Sequence, residues 1–272
     1  MDAPSCKTRA VTHVPGALTT RMSGALRVAT ERDSQSTAPG RFPQGTCHRG
    51  HGYDLPMSRT MKGAVVAVVG TGGLGRALTA SLAARGASVI VAGRSGTVDV
   101  PLDLTDAEAG AALVEHALIR HGRLDGVVIA AGVVAFGDLA DTDDAVIEEL
   151  MLVNAVGPLW LAKRVLPALR ESRGFLANLS GVVSSSPVPG MAAYSASKAA
   201  AAAGFQALGR ELRRAGVLVC DAQPPHTETP LATRPIAGTG PRFAPGLDPR
   251  AVADRVVTGI ETGQAVIAAA DF

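Results

Sequence analysis

The chain has 272 residues, 47% hydrophobic and 18% charged, with a net charge of +2. That is the composition of a globular chain able to bury one large α/β core, and it implies no polyanion partner, so nucleic-acid binding is not expected. Cys6, Cys47 and Cys220 form no disulfide framework and fit a reducing cytoplasm, and no apolar run reaches the roughly 18 residues of a membrane span.

Residues 1–60 carry eight basic against four acidic side chains and show no sustained apolar period. Such a segment cannot bury enough surface to offset its ordering entropy, so it is expected to be a disordered extension. Cys47, His48 and His51 lack a fourth metal ligand nearby, and no metal is expected. Residues 61–272 are expected to form one domain. Ala64–Val69 is a continuous apolar run, as a buried parallel strand should be. Leu74, Leu78 and Leu82 mark a helix that ends at Arg85-Gly86. Strands follow at Ser88–Ala92, Val98–Val100 and Gly126–Ala131, with a helix over Ala107–Arg120. Asp143–Leu169 reads as a long helix, bent or interrupted around Gly157-Pro158. Phe175–Leu179 and Val217–Ala222 read as strands on either side of a helix over Ala193–Ala215. Ala251–Thr262 is a last helix and Ala265–Ala268 a last strand. The alternation predicts an α/β fold, a Rossmann-type doubly wound parallel sheet that binds ligands at the strands' carboxyl ends. Two connections are short. Arg94 to Asp103 leaves no room for a helix, and the Pro- and Gly-rich stretch from Leu231 to Pro249 is expected to form a short substrate lid.

Gly70, Gly72 and Gly75 form G-x-G-x-x-G between the first strand and the first helix, with Gly73 and Leu74 inside it. Glycines there let the backbone turn tightly and approach a pyrophosphate, whose charge the helix N-terminus favours. A site for NAD usually has an acid after the second strand. Here the residues are Gly93-Arg94-Ser95. Arg94 can pair with a 2′-phosphate, so NADP is expected in preference to NAD. Arg76 is either a second cation there or a solvated side chain. Asp103 and Leu104 follow the third strand, where they either cap the adenine pocket or order the loop. Tyr194 and Lys198, four residues apart, share one helix face. An ammonium near a phenol favours the phenolate, and a phenol so tuned exchanges a proton with a carbonyl or alcohol oxygen.

V-V-G-T-G-G-L-G, A-G-R, L-D-L-T-D, A-A-G, L-V-N-A-V-G-P, N-L-S-G, Y-S-A-S-K-A-A and P-P-H-T-E-T together resemble the short-chain dehydrogenases/reductases over residues 62 to 268 or so. The resemblance implies Tyr194 as acid/base, Lys198 on the nicotinamide ribose and Asn154 holding a water that links Lys198 to solvent. It further implies Ser180 orienting the substrate carbonyl, Thr229 on the carboxamide or phosphates, and Ala131, Gly132 and Pro224 along the cofactor. It also implies a small carbonyl or alcohol substrate and a homodimer or homotetramer. The glycine turn is one residue shorter than the family's usual one, and the family's catalytic Ser falls on Gly181, with Ser180 one position before it and Ser184, Ser185 and Ser186 beyond. His226 follows Pro224-Pro225, where the family has Pro-Gly. A catalytically inactive dinucleotide-binding sensor or scaffold is the rival reading, and an epimerase or dehydratase using the same Tyr-Lys chemistry is a third.

Overall fold

The computed structural model describes residues 59–272. The expected extension, apart from Arg59 and Thr60, and the Cys47-His48-His51 cluster lie outside the described residues. Seven parallel strands form one sheet, in the order β3-β2-β1-β4-β5-β6-β7. They are β1 (Val65–Val69), β2 (Ser88–Gly93), β3 (Val100–Pro101), β4 (Gly126–Ile129), β5 (Phe175–Leu179), β6 (Leu218–Ala222) and β7 (Val266–Ile267). Every residue of β1, β4 and β5 is buried, which explains why these strands are apolar without alternation.

Helices cover both faces. α1 (Gly73–Ala84) packs beside α6 (Pro249–Glu261) on one face, over a core that includes Leu78, Leu82, Val256, Val257 and Ile260. α2 (Ala109–His121), α4 (Gly157–Ser172) and α5 (Ala192–Leu212) cover the other, over Leu113, Leu161, Val165, Leu169 and Phe205. Each such fully buried side chain contributes about 1.5–3 kcal/mol relative to exposure. The chain runs outward through β2 and β3, then returns to place β4 on the far side of β1. The strand order therefore reverses between β1 and β4, and the crevice at their carboxyl ends is the place for a ligand.

The expected long helix is broken. α3 (Asp144–Met151) starts at Asp143, whose carboxylate accepts the Ala145 N–H, and it runs into a π turn over Leu152–Val156 before α4 begins. Pro158 has no N–H to give the Asn154 carbonyl, so the ladder slips by one residue there. The slip puts Asn154 inside the irregular turn. By length and hydropathy alone the whole stretch Asp144–Ser172 could cross a membrane, but Leu161, Ala162, Val165 and Leu169 are spent on the core of the sheet. The third strand is displaced from Val98–Val100 to Val100–Pro101, and Pro101 is tolerated because β3 is an edge. No helix forms between Arg94 and Asp103, as the spacing predicts.

Candidate active site

The glycine turn joins β1 to α1. Gly70 has φ +121°, and a Cβ there would lie 2.7 Å from the Ala131 nitrogen. A Cβ on Gly75 would collide with the Gly70 carbonyl. These two glycines let the turn close and let β4's exit pass beside it. Gly72 faces open space, and it caps α1 without any side-chain hydrogen bond or acid in the first turn. The twelve-residue helix thus presents unpartnered N–H groups and a positive dipole end to the crevice. Thr229 closes this turn from the other side: a Cβ on Gly73 would lie 2.7 Å from its Cγ2. Gly70, Gly72, Gly73, Leu74, Gly75, Ala131 and Thr229 are therefore one neighbourhood.

Arg94 stands at the end of β2 with its side chain 61% exposed, 3.9 Å from Asp103. The Asp103 carboxyl accepts from the Thr105 N–H and hydroxyl, and these bonds, with Arg94, hold it below the usual carboxylate range. Asp103 thus orders its own loop and also faces the arginine. Leu104 is buried in the core against Gly157. Arg76 folds back to donate to the Thr71 carbonyl.

Tyr194, Ser197 and Lys198 are buried on the first turns of α5. Lys198 Nζ donates to the Leu179 carbonyl at 3.0 Å. Asn154 clamps the loop after β4: its Oδ1 accepts from the Val133 N–H at 3.0 Å, while its Nδ2 donates to the Val133 carbonyl at 2.9 Å and to Ser197 Oγ at 3.1 Å. Ser197 donates in turn to the Tyr194 carbonyl. A Cβ on Gly132 would lie 2.9 Å from Asn154 Oδ1 and 3.2 Å from Lys198 Nζ, so both polar atoms converge over that glycine. The structure thus brings Asn154, Gly132 and Lys198 together. Asn154's side chain is committed to the Val133 backbone and Ser197, which makes it a clamp between the loop after β4 and α5.

The expected lowering of the phenol is not what the site produces. Burial pushes Tyr194 up to about 12 and Lys198 down to about 8. Desolvation is the largest effect on each, opposed at Lys198 by the Asp221 carboxylate. The phenol hydroxyl has no protein partner among the described hydrogen bonds, and at neutral pH it is a proton donor.

Ser180 is placed differently from the expectation. It is fully buried, and its hydroxyl donates to Asp221 Oδ2 at 2.8 Å, with Ser184 Oγ 3.1 Å away. Its proton is committed to a carboxylate, so it is not free to orient a substrate carbonyl. The cause is the pleat: Ser180 comes two residues after Asn178, so both turn to the same side and reach Asp221 of β6. Gly181 follows with φ +74°. The position where the resemblance puts a catalytic Ser therefore has a backbone that L side chains rarely adopt. Ser184 also bonds the Gly181 carbonyl, and Ser185 bonds that of Val182. The Pro224 carbonyl accepts from Val182, which holds this turn against the exit of β6. His226 stacks on Phe243 at 4.5 Å between centroids, with Glu228 3.8 Å away, and is part of the lid's packing.

Two features escaped the sequence. Asp221 lies in β6, and Asn178 and Gln223 also donate to it. A lone carboxylate inside the apolar run Val217–Ala222 was the available signal. The stretch expected to form a lid, between Leu231 and Pro249, has no helix but pairs with the loop after β4: Ala135 bridges Ala237, Ile236 donates to the Val134 carbonyl and Phe136 to that of Ala237. It closes over an apolar cluster of Val134, Phe136, Leu150, Met191 and Tyr194.

A parallel sheet with a dinucleotide turn, and a buried Tyr-Lys pair at its carboxyl edge, define a nucleotide-dependent oxidoreductase of the Rossmann class. The pattern of the short chain dehydrogenase family matches residues 64–237, and the chain belongs to that family of NAD(P)-dependent oxidoreductases acting on alcohol and carbonyl groups. It is 34% identical over 200 residues to an L-fucose dehydrogenase of Mus musculus, covering 69% of this chain and 71% of that one. It is 30% identical over 205 residues to the dehydrogenase/reductase SDR family member 7B of Mus musculus, covering 67% and 64%. A 3-ketoacyl-(acyl-carrier-protein) reductase of Brucella melitensis, solved with NADH, shares the fold with a TM-score of 0.70 at 22% identity, over 76% of this chain and 96% of that one. A short chain dehydrogenase of Burkholderia cenocepacia, solved with NADP, gives 0.69 at 26% identity, over 78% and 90%.

Proposed function

We propose that this chain is an NADP-preferring oxidoreductase that interconverts a carbonyl and an alcohol, with Tyr194 as the proton donor and acceptor. The observation that carries the reading is the buried Tyr194-Lys198 face at the carboxyl edge of the sheet, one loop away from an uncapped glycine turn. The turn fits a pyrophosphate because Gly72 leaves room and the N–H groups of α1 have no side-chain cap. The bound nicotinamide supplies or accepts the hydride. Lys198 would hold the ribose hydroxyls, and the Asn154 clamp fixes the loop that carries Gly132 against it. Arg94, with no carboxylate at 93–95 to repel a 2′-phosphate, supports NADP. Tyr194 is protonated at neutral pH, which suits reduction: the phenol gives its proton as the carbonyl oxygen gains charge.

The test is turnover with NADPH across a panel of aldehydes and ketones. Tyr194→Phe should lower kcat by roughly 10²–10⁴-fold and leave the nucleotide Kd nearly unchanged. Undiminished turnover in that variant would contradict the assignment. A second reading has its own observation. Gly181 in place of a Ser, with Ser180 committed to Asp221, suits a dinucleotide-binding sensor that does not turn over. For a sensor, Tyr194→Phe would leave NADPH-dependent partner binding intact, and no substrate of the panel would be consumed.

A further inference from the structure

Asp221 takes no part in the chemistry above, yet it is almost wholly inaccessible, in the middle of a protein whose other buried strand residues are nearly all apolar. Three donors point at its two oxygens: Ser180 at 2.8 Å, Asn178 at 3.2 Å and Gln223 at 3.1 Å. Among the described hydrogen bonds its side chain only accepts, as a carboxylate does. Two of the donors, Asn178 and Ser180, flank Leu179 on β5, and the Leu179 carbonyl is the acceptor for Lys198 Nζ. The carboxylate therefore grips the same strand end that holds the ammonium. The two charged groups are not hydrogen-bonded to each other, but each acts electrostatically on the other.

We infer that Asp221 is a positioning residue of the site: it holds the Lys198 ammonium in its charged form and fixes the carbonyl to which that ammonium bonds. The inference rests on the reading of Tyr194 and Lys198 given above. An ammonium this deeply buried loses proton affinity by desolvation, and here that effect is the larger one. As a neutral amine, Lys198 would offer less to ribose hydroxyls and nothing to a developing phenolate. Asp221 opposes this from β6. The other titratable groups around the pair do not replace it. Tyr194 on α5 is a neutral phenol, pushed up to about 12. Cys220 on β6 is a neutral thiol, also pushed up to about 12, and Arg255 of α6 acts on that thiol. Asn154 brings only a neutral oxygen to the same glycine. Ser180, where a catalytic hydroxyl was expected, is on this reading one of the donors that keep Asp221 ionised.

The test reads Lys198 directly and needs no substrate. The chain has four lysines, Lys7, Lys62, Lys163 and Lys198, so side-chain NMR of isotope-labelled lysine resolves them, with Lys198→Arg assigning the resonance. Asp221→Asn should move the Lys198 midpoint to lower pH by about one pH unit or more, while the other three lysines stay where they are. A midpoint that does not move overturns the proposal. If Asp221→Asn does not fold, the reciprocal variant serves, because coupling between two sites is mutual. In Lys198→Met the Asp221 carboxyl, followed by carbon NMR of labelled aspartate, should titrate at higher pH than in the native protein. An unchanged carboxyl titration overturns the proposal equally. Failure of the catalytic reading looks different: turnover would survive Tyr194→Phe, whatever Lys198 does.

Discussion

At the scale of single residues, the site turns on which hydroxyls are free and which are committed. Tyr194's hydroxyl has no protein partner among the described hydrogen bonds, whereas Ser180's is given to Asp221. Truncating a hydroxyl that stabilises the reacting oxygen costs about 10²–10³-fold in kcat. We predict less than a tenfold loss for Ser180→Ala, together with lower stability by about 1–3 kcal/mol as Asp221 loses a donor. Steady-state kinetics and denaturant unfolding of the one variant check both numbers. The residues legible in the sequence were those with local spacing: the glycines of one turn, and a Tyr and Lys on one helical face. Asp221 stood out as a carboxylate in an apolar run, but its pairing was illegible because Ser180 and Asn178 stand 41 and 43 residues away, at β5. Pairings across a parallel sheet leave no period in the sequence. The misplacement of Ser180 has another cause. It follows from the pleat, which turns Ser180 to the same side as Asn178, and a serine in a sequence does not announce the carboxylate that takes its proton.

Between elements, the lid is held to the loop after β4 by backbone bonds, with no helix of its own. Ile236 donates to the Val134 carbonyl at 2.8 Å, and Phe136 donates to Ala237 at 3.0 Å. Ile236→Pro removes the first bond, worth about 1 kcal/mol, or roughly fivefold in the population of the paired arrangement. We predict a KM raised by about that factor with the nucleotide Kd unchanged, since the glycine turn lies outside the lid. An equal change in both constants would show that the lid also governs the nucleotide. The long strands and helices were legible because buried parallel strands are continuous apolar runs and the helices carry regular apolar spacing. The ends were less so. The π turn at Leu152–Val156 comes from one missing N–H at Pro158, and the sequence pointed to an interruption there without revealing its form. β3 has only two residues, too few for any pattern to locate.

For the whole molecule, the buried Asp221-Lys198 pair sets stability against pH. Lys198 falls to about 8 in the fold from 10.5 when exposed, so the unfolded chain binds more protons between those values. Stability therefore rises with pH through that window, and the cost of burying the ammonium is fully present below it. Asp221 shifts the opposite way, so folding keeps its proton longer and stability falls as pH rises past the ordinary carboxylate range. The cost of burial is greatest wherever both charges are carried. We predict that Lys198→Met gains about 1–3 kcal/mol at neutral pH, loses that advantage near pH 10, and loses turnover. Urea unfolding at the two pH values measures it. A fold that keeps a charge it would be more stable without is expected where the charge serves a ligand.

We propose that the crevice between β1 and β4 takes a nicotinamide dinucleotide, with Arg94 choosing the phosphorylated form. The most direct measurement is a titration of the full chain and of Arg94→Ala with NADPH and with NADH, followed by nucleotide fluorescence. We predict that the native chain binds NADPH more tightly, and that Arg94→Ala weakens NADPH by about 10- to 100-fold while barely moving NADH, as the loss of a charge-assisted bond requires. A folded chain that binds neither nucleotide, or an Arg94→Ala variant that loses both alike, would contradict it.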